Sequence, residues 1–420
     1  MKGKIFGIPV AVLLACVPLC ARGEAAPEDR SFGDISIRYL AAGKKVIPSV
    51  TCIDDLNTVD IKLPDIVVEN RGKKPVVIQD VEAIGKDGQD VVVTTRIRTE
   101  ELSNSIRKSA DAFAGKPYMP GLQLASGDIV IPGRITGSLK IDKGESAILL
   151  LSRMAFLHYV GHAEINSMEL DVKILIGKKS KRLKYPVHLT HYESRGKYVF
   201  PLKGDLHMAL VPLSYFHHRV FHSQEFAFDV VGANQKGAGF TEISASDPKR
   251  LSDFGIWGRD IFAIGDGTVV EAGDRFPESI MSDPALFSDG GYTQKVMMDQ
   301  IGKIGFINAV AGNFIIIDHH NGEFSAYCHV QEGSMKVKSG EKVKKGQAIG
   351  RVGNTGNSSA PHLHFQLMDS KNFVTANGLP IMFENIGTDP MVIECPVTTN
   401  NLSFSDSIYF TVKSPVPGHP

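Results

Sequence analysis

Residues 353–367 read Gly353-Asn354-Thr355-Gly356-Asn357-Ser358-Ser359-Ala360-Pro361-His362-Leu363-His364-Phe365-Gln366-Leu367. The first half is rich in Gly, Asn and Ser, the residues that supply positive φ and local side-chain hydrogen bonds in turns. The second half has the composition of a strand. Successive strand side chains point to opposite faces, so His362 and His364 share one face while Leu363 and Phe365 point into a core. Two adjacent imidazoles can then serve one site. A lone His-x-His is also what an ordinary polar strand face shows, so its neighbours decide the reading.

The segment from Phe314 to Val330 reads as two strands joined by an Asn321-Gly322 turn, with Ile315-Ile316-Ile317 in the first strand and His329 closing the second. His319 and His320 fall at the hairpin tip, where solvated histidines are the ordinary expectation, and no role is assigned to them.

Taken together, Tyr327-Cys328-His329-Val330, the run Val337 to Gly350 and the Gly353–Leu367 block resemble the lysostaphin-type zinc metallopeptidases. The resemblance covers the C-terminal half. It implies an antiparallel β-sheet metallopeptidase with one Zn²⁺, held by a His, an Asp and the second His of His-x-His, with two further histidines beside the metal. Carried onto this chain, His364 becomes a ligand and His329 and His362 become the catalytic pair.

Two segments compete for the Asp. Trp257-Gly258-Arg259-Asp260-Ile261 has a suitable local pattern but leads straight into Ala263–Val270, where relatives have the strand after the metal Asp. Phe226-Ala227-Phe228-Asp229-Val230 fits better, which makes Asp229 the expected ligand and Asp260 a decoy. For the remaining ligand the family pattern places His four residues before the Asp, and this chain has Glu225 there. Glu225 would give two carboxylates and one imidazole, a harder and more negative set less suited to zinc-activated water. His222 is therefore favoured, on condition that the chain turns before Phe226. Glu225 stays open as an alternative, followed by His217 and His218.

The whole chain has 420 residues, 46 Lys+Arg, 46 Asp+Glu and 43% apolar residues. That length suggests two folded domains, the balanced charge gives no reason to expect a nucleic-acid partner, and the apolar content belongs to a globular chain. Residues 1–26 read as a signal peptide: Lys2 and Lys4, an apolar stretch from Ile5 to Cys20, then small residues. Leu13-Leu14-Ala15-Cys16 makes a poor lipobox, and no stable membrane span is expected in the mature chain. Residues 27–200 carry short β-branched runs around 66–69, 76–78, 91–93, 146–151 and 170–176, read as an immunoglobulin-like β-sandwich. One amphipathic helix is expected over 100–114, from Leu102, Ile106, Ala110 and Phe113. Residues 216–386 form the expected metallopeptidase domain with an insertion at 276–303, and 387–420 a C-terminal extension. Cys52, Cys328 and Cys395 are widely spaced and define no metal or redox motif.

The functional expectation is an exported, periplasmic or cell-envelope zinc endopeptidase acting on peptidoglycan peptides. The alternative is an inactive envelope protein of the same fold that binds peptidoglycan or regulates another hydrolase.

Overall fold

The computed structural model describes residues 29–113, 133–203, 207–212, 218, 221–236, 239–242, 250–278, 301–385 and 408–411, apart from positions 42, 54, 55, 275, 304, 359, 374 and 382. The expected signal peptide, most of the 276–303 insertion and most of the C-terminal extension lie outside these residues. The protein is mainly β.

In the N-terminal half three sheets share one core. The first orders Arg30–Phe32, Ile35–Tyr39, Ile66–Asn70, Glu145–Leu149 and Arg134–Ile135. The second orders Phe156–Gly161, Leu56–Lys62 and Ser49–Ile53. The third orders Lys179–Val187, Ser167–Ile176, Val76–Asp87 and Asp90–Ile97, with Lys140–Ile141 paired to the Val76 strand. Alternation decides which side chains enter the core. Val76, Ile78, Leu170, Val172, Ile174, Leu183 and Tyr185 are buried, while exposed Arg182, Lys184 and Pro186 hold the outer positions of the edge strand. The helix Thr99–Phe113 buries Leu102 and Ile106 in this core and leaves Phe113 exposed, so its apolar stripe ends one turn early.

The second half is built on a ten-stranded sheet. Its main path orders Lys342–Val343, Gly267–Gly273, Phe314–Asp318, Phe324–Cys328, Leu363–Met368, Phe228–Lys236, His207–Pro212 and Ile408–Thr411. The sheet therefore takes in strands on both sides of the expected 216–386 limits. One face carries Phe228, Val230, Ile315, Ile317, Tyr327, Leu363 and Phe365, packed with Tyr198, Phe200 and Leu202 from the connecting segment. The other carries Phe314, Ile316, Ala326, Cys328 and Met368. This second face also holds the polar residues described below. Cys328 is a buried free thiol there.

Candidate metal centre

The site is set by strand register. The Phe228 strand runs antiparallel to the Leu363 strand with Asp229 directly opposite His364, and Cys328 of the Phe324 strand lies opposite His364 on the other side. Directly opposed antiparallel residues have their side chains on the same face about 5 Å apart. Asp229 Oδ1 accordingly lies 3.0 Å from His364 Nδ1.

A second imidazole reaches the same carboxylate. His218 Nε2 lies 2.9 Å from Asp229 Oδ2, and the His218 and His364 ring centroids are 4.7 Å apart. His218, Asp229 and His364 are all buried, and each offers a ligand atom within 4.8 Å of the others, the one such cluster among the described residues.

His222 is not in that cluster. From Phe221 to Ala227 the chain is a succession of tight turns, with Phe221 N bonded to His218 O, Gln224 N to Phe221 O and Ala227 N to Gln224 O. His222 opens the 3-10 turn His222–Gln224 within this run, and the charges that act on it are those of Lys62 and Lys44. Burial, then those two cations, hold its pKa well below the ordinary imidazole value. The parity rule that governs a strand has no force on a segment that is not a strand. His218, the last alternative weighed from sequence, takes the place expected of His222; Glu225 is buried at the end of the same turn, and His217 lies outside the described residues. Asp260 is also elsewhere, on the surface, with Lys336 Nζ at 2.7 Å and Arg351 Nε at 3.5 Å.

The other two histidines meet beside the cluster. His329 leaves its strand with φ +59, a left-handed conformation that is unusual for a residue with a Cβ. This turns its ring onto His362, at a centroid distance of 4.5 Å. His362 immediately precedes the Leu363 strand, and its Nε2 lies 3.6 Å from Asp229 Oδ1. Among the expected site residues, Asp229, His329, His362 and His364 thus come together.

The surrounding acceptors fix the tautomers. His329 Nδ1–H donates to Thr355 O at 2.7 Å, and His362 Nδ1–H donates to Ala360 O at 2.8 Å, which leaves each Nε2 with its lone pair. Gln366 Nε2 donates to Ser223 O at 3.1 Å, so Gln366 Oε1 is the atom 2.9 Å from His364 Nε2 and demands an N–H there. A neutral His364 then aims the Nδ1 lone pair at a carboxylate oxygen. That confrontation is unfavourable unless a cation or an extra proton lies between them.

Burial would raise the Asp229 carboxyl, but the neighbouring imidazoles, His218 foremost with His362 and His364, hold it well below the usual carboxylate range. Burial pushes His329 well below the usual imidazole value, reinforced by His362 and His364 and opposed by the Thr355 bond. His329 is therefore a neutral base at neutral pH.

Sequence reading did not single out Gln366, Thr355 or Ser358. Gln366 shares the parity of His362 and His364, a signal that was available. Thr355 is fully buried: its Oγ1 accepts from Asn313 N at 2.9 Å and donates to Val330 O at 3.0 Å. Only the tertiary crossing reveals that role. The crossing is close, since a Cβ at Gly356 would lie 2.3 Å from Gly312 N. His319, expected to be a solvated tip residue, instead bonds Asp266 O and Ser325 Oγ, both at 2.8 Å.

A β-sheet bearing two imidazoles and a carboxylate as one donor set, with two more imidazoles alongside, defines the class of the site. Comparison with known proteins gives the family: the chain belongs to peptidase family M23, whose profile matches residues 289–376. His329, His362 and His364 lie inside that match, while His218 and Asp229 lie outside it and are brought in by the fold. The chain is 34% identical over 113 residues to the lipoprotein NlpD of Yersinia enterocolitica, covering 27% of this chain and 80% of the relative. It is 45% identical over 58 residues to the peptidoglycan DD-endopeptidase ShyA of Vibrio cholerae, covering 14% of this chain and 13% of that protein. The chain thus spans only a small part of the endopeptidase's length. The catalytic domain of lysostaphin from Staphylococcus simulans aligns over 44% of this chain and 88% of that domain, at 23% identity and a TM-score of 0.22. Among the described residues no helix is long and apolar enough to cross a membrane.

Proposed function

We propose that this chain is an exported zinc endopeptidase that hydrolyses peptide bonds of peptidoglycan, with His218, Asp229 and His364 as metal ligands and His329 and His362 as catalytic groups. The observation that carries this reading is the convergence of two imidazole nitrogens and one carboxylate oxygen, all buried and within 4.8 Å of one another. Two imidazoles and one carboxylate carry a single negative charge, a donor set that suits borderline-soft zinc and leaves a coordination position for chemistry. The lone pairs at His364 Nδ1 and Asp229 Oδ1, facing each other at 3.0 Å, are relieved by a cation.

Bound zinc would supply Lewis acidity, polarising a scissile carbonyl and making water a nucleophile near neutral pH. The chain's own residues do the rest. Gln366 holds the His364 ring, and Thr355 and Ala360 hold His329 and His362 with their Nε2 lone pairs free. One of these acts as general base toward the attacking water. The imidazolium that this base becomes on taking the water proton offsets the negative charge that develops on the substrate oxygen, and the second imidazole lies beside it at a centroid distance of 4.5 Å. The peptidoglycan substrate and the envelope location follow from what the similar endopeptidases are named for and from the apolar leader. His218 also supplies the second imidazole that the family pattern places at 225, where this chain has Glu225.

The test is metal analysis of the purified chain together with a peptidoglycan digestion assay. One zinc per chain and fragment release that a chelator blocks are expected; a chain with neither zinc nor hydrolysis overturns the reading.

A further inference from the structure

Behind the two catalytic histidines lies an acidic residue that belongs to neither the ligand set nor the catalytic pair. Glu278 Oε1 accepts the Glu332 backbone N–H at 2.8 Å, and its Oε2 accepts the Asn354 backbone N–H at 2.7 Å. The backbones of Glu278 and Thr355 also form an antiparallel bridge. One carboxylate therefore ties together two loops that are far apart in sequence.

Each loop controls one side of the pair. Glu332 lies three residues after His329, on the turn that leaves the left-handed His329 position. Asn354 precedes Thr355, whose carbonyl accepts the His329 Nδ1–H. The Asn354 side chain continues toward the other ring: Ser358 Oγ donates to Asn354 Oδ1 at 2.6 Å and lies 3.1 Å from His362 Nδ1. The carbonyl that orients His329 thus comes one residue after Asn354 and the hydroxyl beside His362 bonds the Asn354 side chain, and the N–H of Asn354 is held by Glu278. Two charge-assisted bonds to backbone amides are short and directional, the kind of support that keeps groups in place to within tenths of an ångström.

We infer that Glu278 is a positioning residue, a clasp that sets the relative placement of His329 and His362 without touching metal or substrate. This inference rests on the zinc endopeptidase reading. Glutamine at 278 keeps the size but replaces one acceptor by an NH₂ that confronts a backbone N–H, so one loop is released. Aspartate keeps both oxygens on a shorter stem and restores part of the hold. Small misplacements of catalytic groups cost about tenfold to a hundredfold in rate.

The experiment measures kcat, KM, zinc content and Trp257 fluorescence unfolding for the wild-type chain, Glu278→Gln and Glu278→Asp. Expected for Glu278→Gln are a kcat lowered about tenfold to a hundredfold, KM within about twofold, full zinc content, and partial recovery of kcat in Glu278→Asp. Amide hydrogen exchange at Asn354 and Glu332 should accelerate in Glu278→Gln. Unchanged kcat in both variants, or a loss of kcat accompanied by loss of zinc or a lowered unfolding midpoint, overturns the inference while leaving the zinc endopeptidase reading intact. A wild-type chain that holds no zinc and hydrolyses nothing overturns both.

Discussion

Asp229 and His364 face each other across neighbouring antiparallel strands, with Asp229 Oδ1 3.0 Å from His364 Nδ1. The pairing makes the placement of each side chain dependent on the other's strand. Asp229→Asn keeps the shape but removes the negative charge, and His364→Ala removes the imidazole. Each should weaken zinc binding by more than about a hundredfold, beyond the range typical of losing an outer-shell partner. Zinc titration against a competing chelator checks this, and stoichiometric zinc in either variant would exclude that residue as a ligand.

His218 and His222 give the sharpest contrast within one short segment. His218→Ala should lose zinc, because its Nε2 is 2.9 Å from Asp229 Oδ2. His222→Ala should retain zinc and activity, since His222 lies outside the cluster of His218, Asp229 and His364. Metal content after dialysis decides between them. Retained zinc in His218→Ala with lost zinc in His222→Ala would reverse the assignment.

His362→Ala should keep its zinc and lose turnover by about 10²–10⁴-fold, the usual worth of a general acid–base group. Its Nε2 is 3.6 Å from Asp229 Oδ1, beside the ligand cluster rather than in it. Measured zinc stoichiometry and initial rates on the same preparation make the distinction, and a fall in zinc equal to that of His364→Ala would make His362 a ligand.

Gln366→Leu removes the acceptor of the His364 Nε2–H and leaves a buried donor unsatisfied. Zinc affinity should fall by about ten- to a hundredfold, less than for loss of a ligand. An unchanged dissociation constant would show that packing alone orients the His364 ring.

The residues legible in the sequence were those whose placement follows from strand periodicity. His362, His364 and Asp229 lie at or beside strand positions where alternation assigns faces, and His329 closes a hairpin signalled by Asn321-Gly322. Strand alternation also drew the β-rich N-terminal core, and the helical spacing of Leu102, Ile106 and Ala110 drew the helix from Thr99. His218 was legible only as the last alternative because Phe221 to Ala227 form tight turns, where spacing carries no facing information. Glu278 and Thr355 were hidden for another reason: each acts through backbone groups brought close only by the tertiary fold. The strands His207–Pro212 and Ile408–Thr411 complete the sheet from outside the expected limits, since pairing partners distant in sequence leave no local trace.

Glu323 offers a test of stability rather than catalysis. Its side chain is fully buried and accepts hydrogen bonds from Tyr198 OH at 2.5 Å, Tyr192 OH at 2.7 Å, Arg195 N at 2.7 Å, Asn321 Nδ2 at 2.7 Å and Gly196 N at 3.0 Å. Burial would raise this carboxyl, but the bonds from Tyr198, Tyr192, Arg195 and Asn321 outweigh it and lower the pKa below the ordinary value. A group whose folded pKa is depressed stabilises the fold above its unfolded pKa, about 4.3 for Glu, and loses that contribution as pH falls through the folded value. Glu323→Gln should therefore cost about 2 kcal/mol at pH 7, within the range for hydrogen bonds to a charged group. The gap from wild type should hold down to about pH 5 and narrow below about pH 4, as the native carboxyl takes up its proton and comes to resemble the amide. The chain has a single tryptophan, Trp257, in the same half as Glu323, so its fluorescence follows unfolding of that half. Urea midpoints at pH 7, 5 and 3.5 for the two chains give the gap, and one that widens in acid would mean that Glu323 is held protonated in the fold.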